Sequence, residues 1–298
     1  MRRRDAHALT VMRRTPPIVF IHGPWLHTSS WQPWLDFFRA AGFEVHAPRW
    51  PGEAPTVQET RRHPERMGGF GYNALTRHYG RIIEEMEEEP IVIGHSVGGH
   101  VAQRLLGMGL ARAAIALAPL QFRGVRGLPP SQLPAVAPLL RNPVNYYRAV
   151  TLTPEQFHRI FANELSQKES DELYVRYSIP STVRPVFQST LANLAFRSKA
   201  RINTDNRNAG PLLIVAGEKD RLVPVWIAQE EAQRFSKAPA FTIVPGRGHS
   251  LVVDSGWRQV AELCLRWLAR HDLAPSLPER PRPRAEAPVE TEQPRAGK

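Results

Sequence analysis

The chain has a single cysteine, Cys264, in 298 residues. That excludes an intramolecular disulfide and any metal site built on several thiolates. Cys264 lies in the apolar helical pattern "VAELCLRWL", where a free cysteine fills core volume. No apolar run approaches the length of a membrane span. The arginines near the start are not followed by the uninterrupted apolar segment of a secretory signal, so the expected compartment is the cytoplasm and no membrane partner is expected. No clustered His and carboxylate spacing suggests a metal site. "ERMGGFG" carries glycines without following a strand or matching G-x-G-x-x-G, so no nucleotide loop is expected. Also missing is a basic stripe with interleaved aromatics, although the formal net charge is +11. Arg2, Arg3, Arg4, Arg13 and Arg14 against Asp5 concentrate part of that charge at the start, and the remainder is scattered. Such a footprint describes a solvated, arginine-rich surface and not a nucleic-acid face. The run "EEMEEE" is the solvated end of a helix.

What is present is a globular composition, 42% hydrophobic and 22% charged, on a chain long enough to bury a full core. Six short runs rich in β-formers recur: "PIVFI" (17–21), "FEVHAP" (43–48), "PIVIG" (90–94), "AAIALA" (113–118), "PLLIVAG" (211–217) and "FTIVPG" (241–246). They are continuous instead of alternating, as strands buried on both faces of a parallel sheet are. Helical patterns lie between them at 30–41, behind Ser29 or Ser30 as N-cap, and at 71–88, 98–109, 225–236 and 256–270. The alternation predicts an α/β fold, a doubly wound and mostly parallel sheet of about six strands.

Residues 119–210 break the rhythm. They open proline-rich, continue as amphipathic helix in "TPEQFHRIFANELSQKESDELYVRY", and contain no convincing strand. Thr153 caps the first of these helices with Pro154 at its first position. The expected organisation is a basic extension over 1–15, a core over 16–118 and 211–271, a helical cap over 119–210 inserted after the fourth strand, and a tail over 272–298. That tail is rich in proline, arginine and glutamate and lacks aromatic residues, so it is expected to stay disordered.

"GHSVGG" places Gly94, His95, Ser96, Val97 and Gly98 in the pattern G-x-S-x-G, directly after "PIVI" and before the helical "HVAQRLLGMGL". A strand that turns at once into a helix strains the residue at the bend, and bulky neighbours would clash there. The bend lifts a serine hydroxyl above the sheet, beside the backbone N–H groups that open the helix. Ser96 is therefore the candidate nucleophile, and it needs a base and a group to orient that base. Of eleven histidines, His249 in "PGRGHSLVVD" is best placed, directly after the last strand. Asp220 in "LLIVAGEKDRLVP" is the candidate orienting acid, with Glu218 as a nearby alternative. The chain order Ser96, Asp220, His249 is that of one hydrolase type and differs from the orders of two other serine-protease types.

On "FIHG", "GHSVGG", "GEKDRLVP" and "GRGHSL" the chain resembles the α/β-hydrolase fold superfamily over roughly residues 16–271, and within it small bacterial esterase-like serine hydrolases with a helical cap. The resemblance implies an oxyanion loop, a nucleophile, an acid and a base on those four stretches, in that order. It also implies two leading antiparallel strands, which are shortened or missing here unless "HALTVM" forms one. One position departs from the pattern. The residue after "HG" supplies an oxyanion N–H in such relatives, and here it is Pro24, which has none. The second donor, the N–H of Val97, is unaffected. Either the Trp25 N–H takes the vacant role, or the His27 side chain donates, or the reaction does without a tightly held oxyanion, or turnover is poor.

His22 and His95 read as braces of the loops around the site. Trp25, Trp31, Trp34 and Trp50 read as core or pocket lining, and with His27, Phe122, Leu128, Phe157 and Phe161 they define an expected apolar pocket for substrate. The expected function is a cofactor-free serine hydrolase of small to medium esters with apolar groups, acting on a small molecule through an acyl-enzyme. The alternatives are a slow or receptor-like ligand-binding homologue, or another activity of the fold such as amide, lactone or C–C bond hydrolysis or perhydrolysis. The sequence leaves the oligomeric state open.

Overall fold

The structure, a computed structural model, describes residues 15–125 and 133–275. The arginine-rich start, the segment "HALTVM", Leu128 and residues 276–298 of the expected tail lie outside the described residues.

Six strands form one sheet: β1 (Ile18–Ile21), β2 (Val45–His46), β3 (Ile91–His95), β4 (Ala113–Leu117), β7 (Leu212–Gly217) and β8 (Ala240–Val244). Their order is β2-β1-β3-β4-β7-β8, and every pairing is parallel. The four central strands are buried at every position, which is why their sequences read as unbroken apolar runs. Only the edge strand β8 shows a mixed pattern. β1 is the first element among the described residues, and the segment in which a leading strand was sought lies outside them.

The helices follow the predicted stretches to within a few residues at each end: α1 (Gln32–Ala40), α3 (Tyr72–Glu84), α4 (Val97–Gly107), α9 (Val225–Gln233) and α10 (Trp257–Arg270), with a short α2 (Val57–Arg62) after β2. The expected N-cap of α1 is corrected. A 3-10 turn, Thr28–Trp31, precedes the helix, and His27 caps that turn by accepting from the Ser29 N–H. Trp31, Trp34 and Phe38 pack with Phe20 of β1, with ring centroids 5.0 to 6.2 Å from Phe20. Cys264 is fully buried in α10.

Between β4 and β7 lie α5 (Leu133–Leu140), α6 (Pro154–Ile160), α7 (Gln167–Tyr177) and α8 (Arg184–Thr190). The cap of α6 is as read: Thr153 accepts from the Gln156 N–H at 3.2 Å, and the Gln156 side chain accepts from the Thr153 N–H at 2.9 Å. This interval also holds a strand pair that the sequence did not reveal, β5 (Ala149–Val150) antiparallel to β6 (Ser181–Thr182). Two-residue strands carry no period to read.

The strand order positions the site. From β1 the chain moves outward to β2 and then returns to the other side of β1 as β3. The loops leaving the carboxyl ends of β1 and β3 therefore diverge and open a crevice, the place where ligands bind in open α/β sheets. "HGPW" leaves β1 and Ser96 follows β3 at that crevice.

Candidate active site

Ser96 sits between the last residue of β3 and the first of α4 with φ 55° and ψ −116°. This left-handed bend costs a non-glycine residue about 1–3 kcal/mol and persists only where the surroundings enforce it. They do so here by close approach. A Cβ on Gly94 would collide with the Gly98 carbonyl, and a Cβ on Gly98 with the Ile21 carbonyl of β1. The Ser96 N–H donates to the Leu117 carbonyl of β4 at 2.9 Å, and its carbonyl accepts from His100 and Leu120. Val97 opens α4, so its N–H belongs to the positive end of an eleven-residue helix.

The strands β7 and β8 bring the other two groups together. Asp220 Oδ1 accepts the N–H groups of Leu222 and Val223, each at 2.8 Å, which fixes the carboxylate in its loop. Its Oδ2 accepts from His249 Nδ1 at 2.7 Å, and both side chains are buried. Gly217 permits this approach, because a Cβ there would press on the Arg247 and Gly248 carbonyls at 2.6 Å. His95, next to Ser96, donates from Nε2 to the His249 carbonyl at 2.9 Å, and the two rings lie 4.8 Å apart. Burial, with the neighbouring His249, pushes the pKa of His95 well below its ordinary value, so His95 is a neutral brace. The alternative acid, Glu218, accepts from the Gly246 N–H at 2.7 Å and holds the turn after β8.

At the end of β1, a Cβ on Gly23 would lie 2.9 Å from Ser96 Cβ, so only glycine lets this turn close over the elbow. Trp25 has a left-handed φ of 63°. Its indole N–H donates to the Val150 carbonyl of β5 at 3.0 Å, and its carbonyl accepts from Ile179 at 3.1 Å. The turn is thus stitched to the interval between β4 and β7.

His27 is corrected as a substrate or oxyanion contact. Its Nδ1 accepts from the Ser29 N–H at 3.1 Å and faces the Ser29 hydroxyl at 2.8 Å, while its Nε2 donates to the Ala54 carbonyl at 3.1 Å. Both nitrogens are committed to the loop. Phe122 packs on Phe235 at 5.9 Å, and its N–H donates to Glu231 of α9, which places it with that helix. Phe161, at the end of α6, stands edge-on to His95 at 5.9 Å and to His249 at 5.8 Å. Phe157 lies behind it, against Phe161 and Tyr174. A cavity of about 590 Å³ lies at the other end of the sheet, lined by Arg112, Asn203, Pro211 and Ala240 at the amino ends of the strands.

A family model described as the alpha/beta hydrolase family matches residues 18–263. The chain belongs to the alpha/beta hydrolase family. No curated protein matches this α/β hydrolase in sequence. Among solved structures it is similar to a monoacylglycerol lipase of Paleococcus ferrophilus, at 20% identity and TM-score 0.59, over 86% of this chain and 96% of that one. It is similar also to a methylesterase from Arabidopsis, at 15% identity and TM-score 0.59, over 86% and 99%. A pyrethroid hydrolase from Sphingobium faniae aligns at 18% identity and TM-score 0.60, over 85% and 97%. At these identities the likeness is one of fold.

Sequence reasoning missed two supports of the α/β-hydrolase site. Glu53, in the loop after β2, is a buried carboxylate within reach of His22 and His27. The α6–α7 connection and the first turn of α7 hold the loops after β7 and β8: Asn163 donates to the Lys219 carbonyl at 3.1 Å, Glu164 lies 3.4 Å from Lys219 Nζ, and Glu169 accepts from the Ser255 N–H at 2.7 Å. No local pattern announced either.

Proposed function

We propose that the protein is a serine hydrolase that cleaves small to medium esters carrying apolar groups through an acyl-enzyme. The observation that carries this reading is the buried Asp220–His249 pair, held 2.7 Å apart on loops that meet the strained elbow of Ser96. Asp220 accepts from Nδ1, so His249 is left with Nε2 as its proton-accepting nitrogen. In this reading Ser96 Oγ attacks the ester carbonyl as His249 takes its proton. His249 then returns that proton to the departing alkoxide. Asp220 fixes the imidazole tautomer and stabilises the charged ring. Water, deprotonated by the same histidine, attacks the acyl-enzyme and releases the acid. The Val97 N–H receives the oxyanion, with the Trp25 N–H as the second donor in place of the one Pro24 lacks.

Phe161 supplies an apolar wall against His249, which favours substrates with hydrocarbon groups, and the segment 119–210 acts as the cap that presents it. Nucleophile, base and orienting acid all come from the chain, so the reaction needs no cofactor. The named lipase and methylesterase structures agree in kind with an ester substrate. We place the protein in the cytoplasm; among the described residues no helix is long and apolar enough to cross a membrane.

Pro24 supports a second reading, a slow, ligand-binding homologue. Labelling with a fluorophosphonate probe and turnover of p-nitrophenyl esters of rising acyl length separate the two. Ser96-dependent labelling with steady turnover is the expected result, and both are to vanish in Ser96→Ala. Labelling with negligible turnover favours the ligand-binding homologue, and hydrolysis that survives Ser96→Ala ends the serine-hydrolase reading.

A further inference from the structure

The carboxylate of Glu53 is fully buried beneath the turn that closes over Ser96. Its Oε1 accepts the Thr28 N–H at 2.6 Å, and its Oε2 accepts the Trp50 N–H at 3.0 Å and faces His22 Nε2 at 2.9 Å. Burial disfavours its charge, yet His22 and the Thr28 N–H hold its pKa below the ordinary carboxylate value. Glu53 is therefore an anion, and a buried anion requires a cation beside it.

Two imidazoles touch it. His27 is excluded, since its Nδ1 accepts from the Ser29 N–H and so carries no proton. Burial lowers its pKa as well, against the pull of Glu53. His22 differs. Its Nδ1 faces the Gly23 carbonyl at 2.9 Å and its Nε2 faces the Glu53 carboxylate, and both partners are acceptors only. Hydrogen bonding is satisfied only when both nitrogens carry protons. Trp50 stacks on the ring at 4.8 Å and 21°, a face that suits a cation. The other titratable neighbours do not supply the charge: His95 is neutral, Tyr79 is pushed well above its ordinary value by burial and stays a phenol, and Arg49 acts on the His27 side.

We infer that His22 is a buried imidazolium, ion-paired to Glu53, and that this pair is the positioning device of the oxyanion turn. The pair brackets the turn, with His22 just before Gly23 and the Glu53-bound Thr28 N–H just after His27. It anchors the Gly23 carbonyl, and with it the peptide plane that leads into Pro24. It also turns its positive end, the Nδ1 side of the ring, toward Gly23, whose backbone packs on Ser96, with the carboxylate on the far ring nitrogen. A preorganised charge at that place opposes the loss of the Pro24 N–H, because it favours negative charge developing at the elbow. The catalytic part of this inference rests on the serine-hydrolase reading, whereas the protonation state does not.

The test begins with wild-type protein labelled with 15N in histidine, assigned by comparison with His22→Asn. Long-range 1H–15N spectra at pH 7.5 are expected to show both nitrogens of His22 in the protonated range and His27 as the neutral Nε2–H form. A neutral His22 overturns the inference. Glu53→Gln is then expected to return His22 to the neutral form. It is also expected to lower kcat on p-nitrophenyl butyrate by about tenfold, with KM changed less than about twofold. A Glu53→Gln protein with native circular dichroism, neutral His22 and unchanged kcat overturns the positioning role. Failure of the hydrolase reading looks different: wild-type protein that is neither labelled at Ser96 nor active on any ester, with the His22 signals as expected.

Discussion

Replacing Asp220 with asparagine tests the orienting acid with almost no change in volume. In the native loop Oδ1 accepts two backbone N–H groups, from Leu222 and Val223, and Oδ2 faces His249 Nδ1. An asparagine has one acceptor oxygen and one donor amide. Turning the amide nitrogen toward Leu222 and Val223 would leave two backbone donors unpaired, at about 1–3 kcal/mol each. The oxygen therefore stays with the backbone, and the NH2 group points at His249. The imidazole then has to accept at Nδ1 and carry its own proton on Nε2, the atom that must take the serine proton. Recovering the useful tautomer means reversing the amide, at about 2–6 kcal/mol, so it is suppressed by roughly 30-fold to 10⁴-fold.

The expected outcome is a fall in kcat of that order with a nearly native fold. Steady-state hydrolysis of p-nitrophenyl butyrate and the rate of fluorophosphonate labelling measure it, and circular dichroism confirms the fold. Glu218→Gln is the control, because that carboxylate only braces Gly246 and its variant should keep kcat. An Asp220→Asn enzyme within tenfold of wild type refutes the reasoning. Loss in Glu218→Gln instead would move the acid to that position.

Phe161→Ala should change acyl-length preference and lower stability, since its ring meets His249. Phe157→Ala should cost about 3–5 kcal/mol of stability and leave the preference alone, and equal substrate profiles for both variants would refute the division. Glu231 is fully buried, accepts from Gln103 at 3.2 Å, and its carboxyl is pushed well above the ordinary range by burial. It keeps its proton in the fold while the unfolded chain loses it, so stability is full below the unfolded pKa and falls as pH rises toward the folded one. Thermal melts should show Glu231→Gln gaining on wild type as pH rises above the unfolded carboxyl range, and a constant gap would contradict this. Pro24→Ala restores an N–H, and if that donor limits the rate, kcat should rise by an amount bounded at about 3–4 kcal/mol of barrier. A kcat at or below wild type, with the fold intact, would assign the role to the Trp25 N–H and the His22 charge.

How far the sequence could be read depended on how local each signal was. The strands announced themselves because burial on both faces demands unbroken apolar runs, and the strand–turn–helix around Ser96 is complete within "PIVIGHSVGGHV". That Asp220 and His249 meet was legible for a similar reason, since each follows a strand of the same sheet and those two strands are neighbours. His27 was misread because its role is decided by a two-residue contact with Ser29, and "LHTSSW" does not distinguish a capping imidazole from one aimed at substrate. The packing of Phe122 was not legible, because an aromatic after a strand can turn to either side and its partner Phe235 lies more than a hundred residues along the chain. Glu53 was invisible. A glutamate in "RWPGEAP" has the look of a surface loop residue beside Arg49, and the imidazole it meets in the fold, His22, lies 31 residues upstream. Its burial is created by β2, which carries the loop back beside β1 and sets the carboxylate between His22, Thr28 and Trp50. The proposed nucleophile and its proposed acid–base pair lie in local motifs, while the groups that set charge and geometry around them are assembled by the fold. A variant that keeps all four motifs and loses Glu53 would look intact in sequence and still be expected to lose rate.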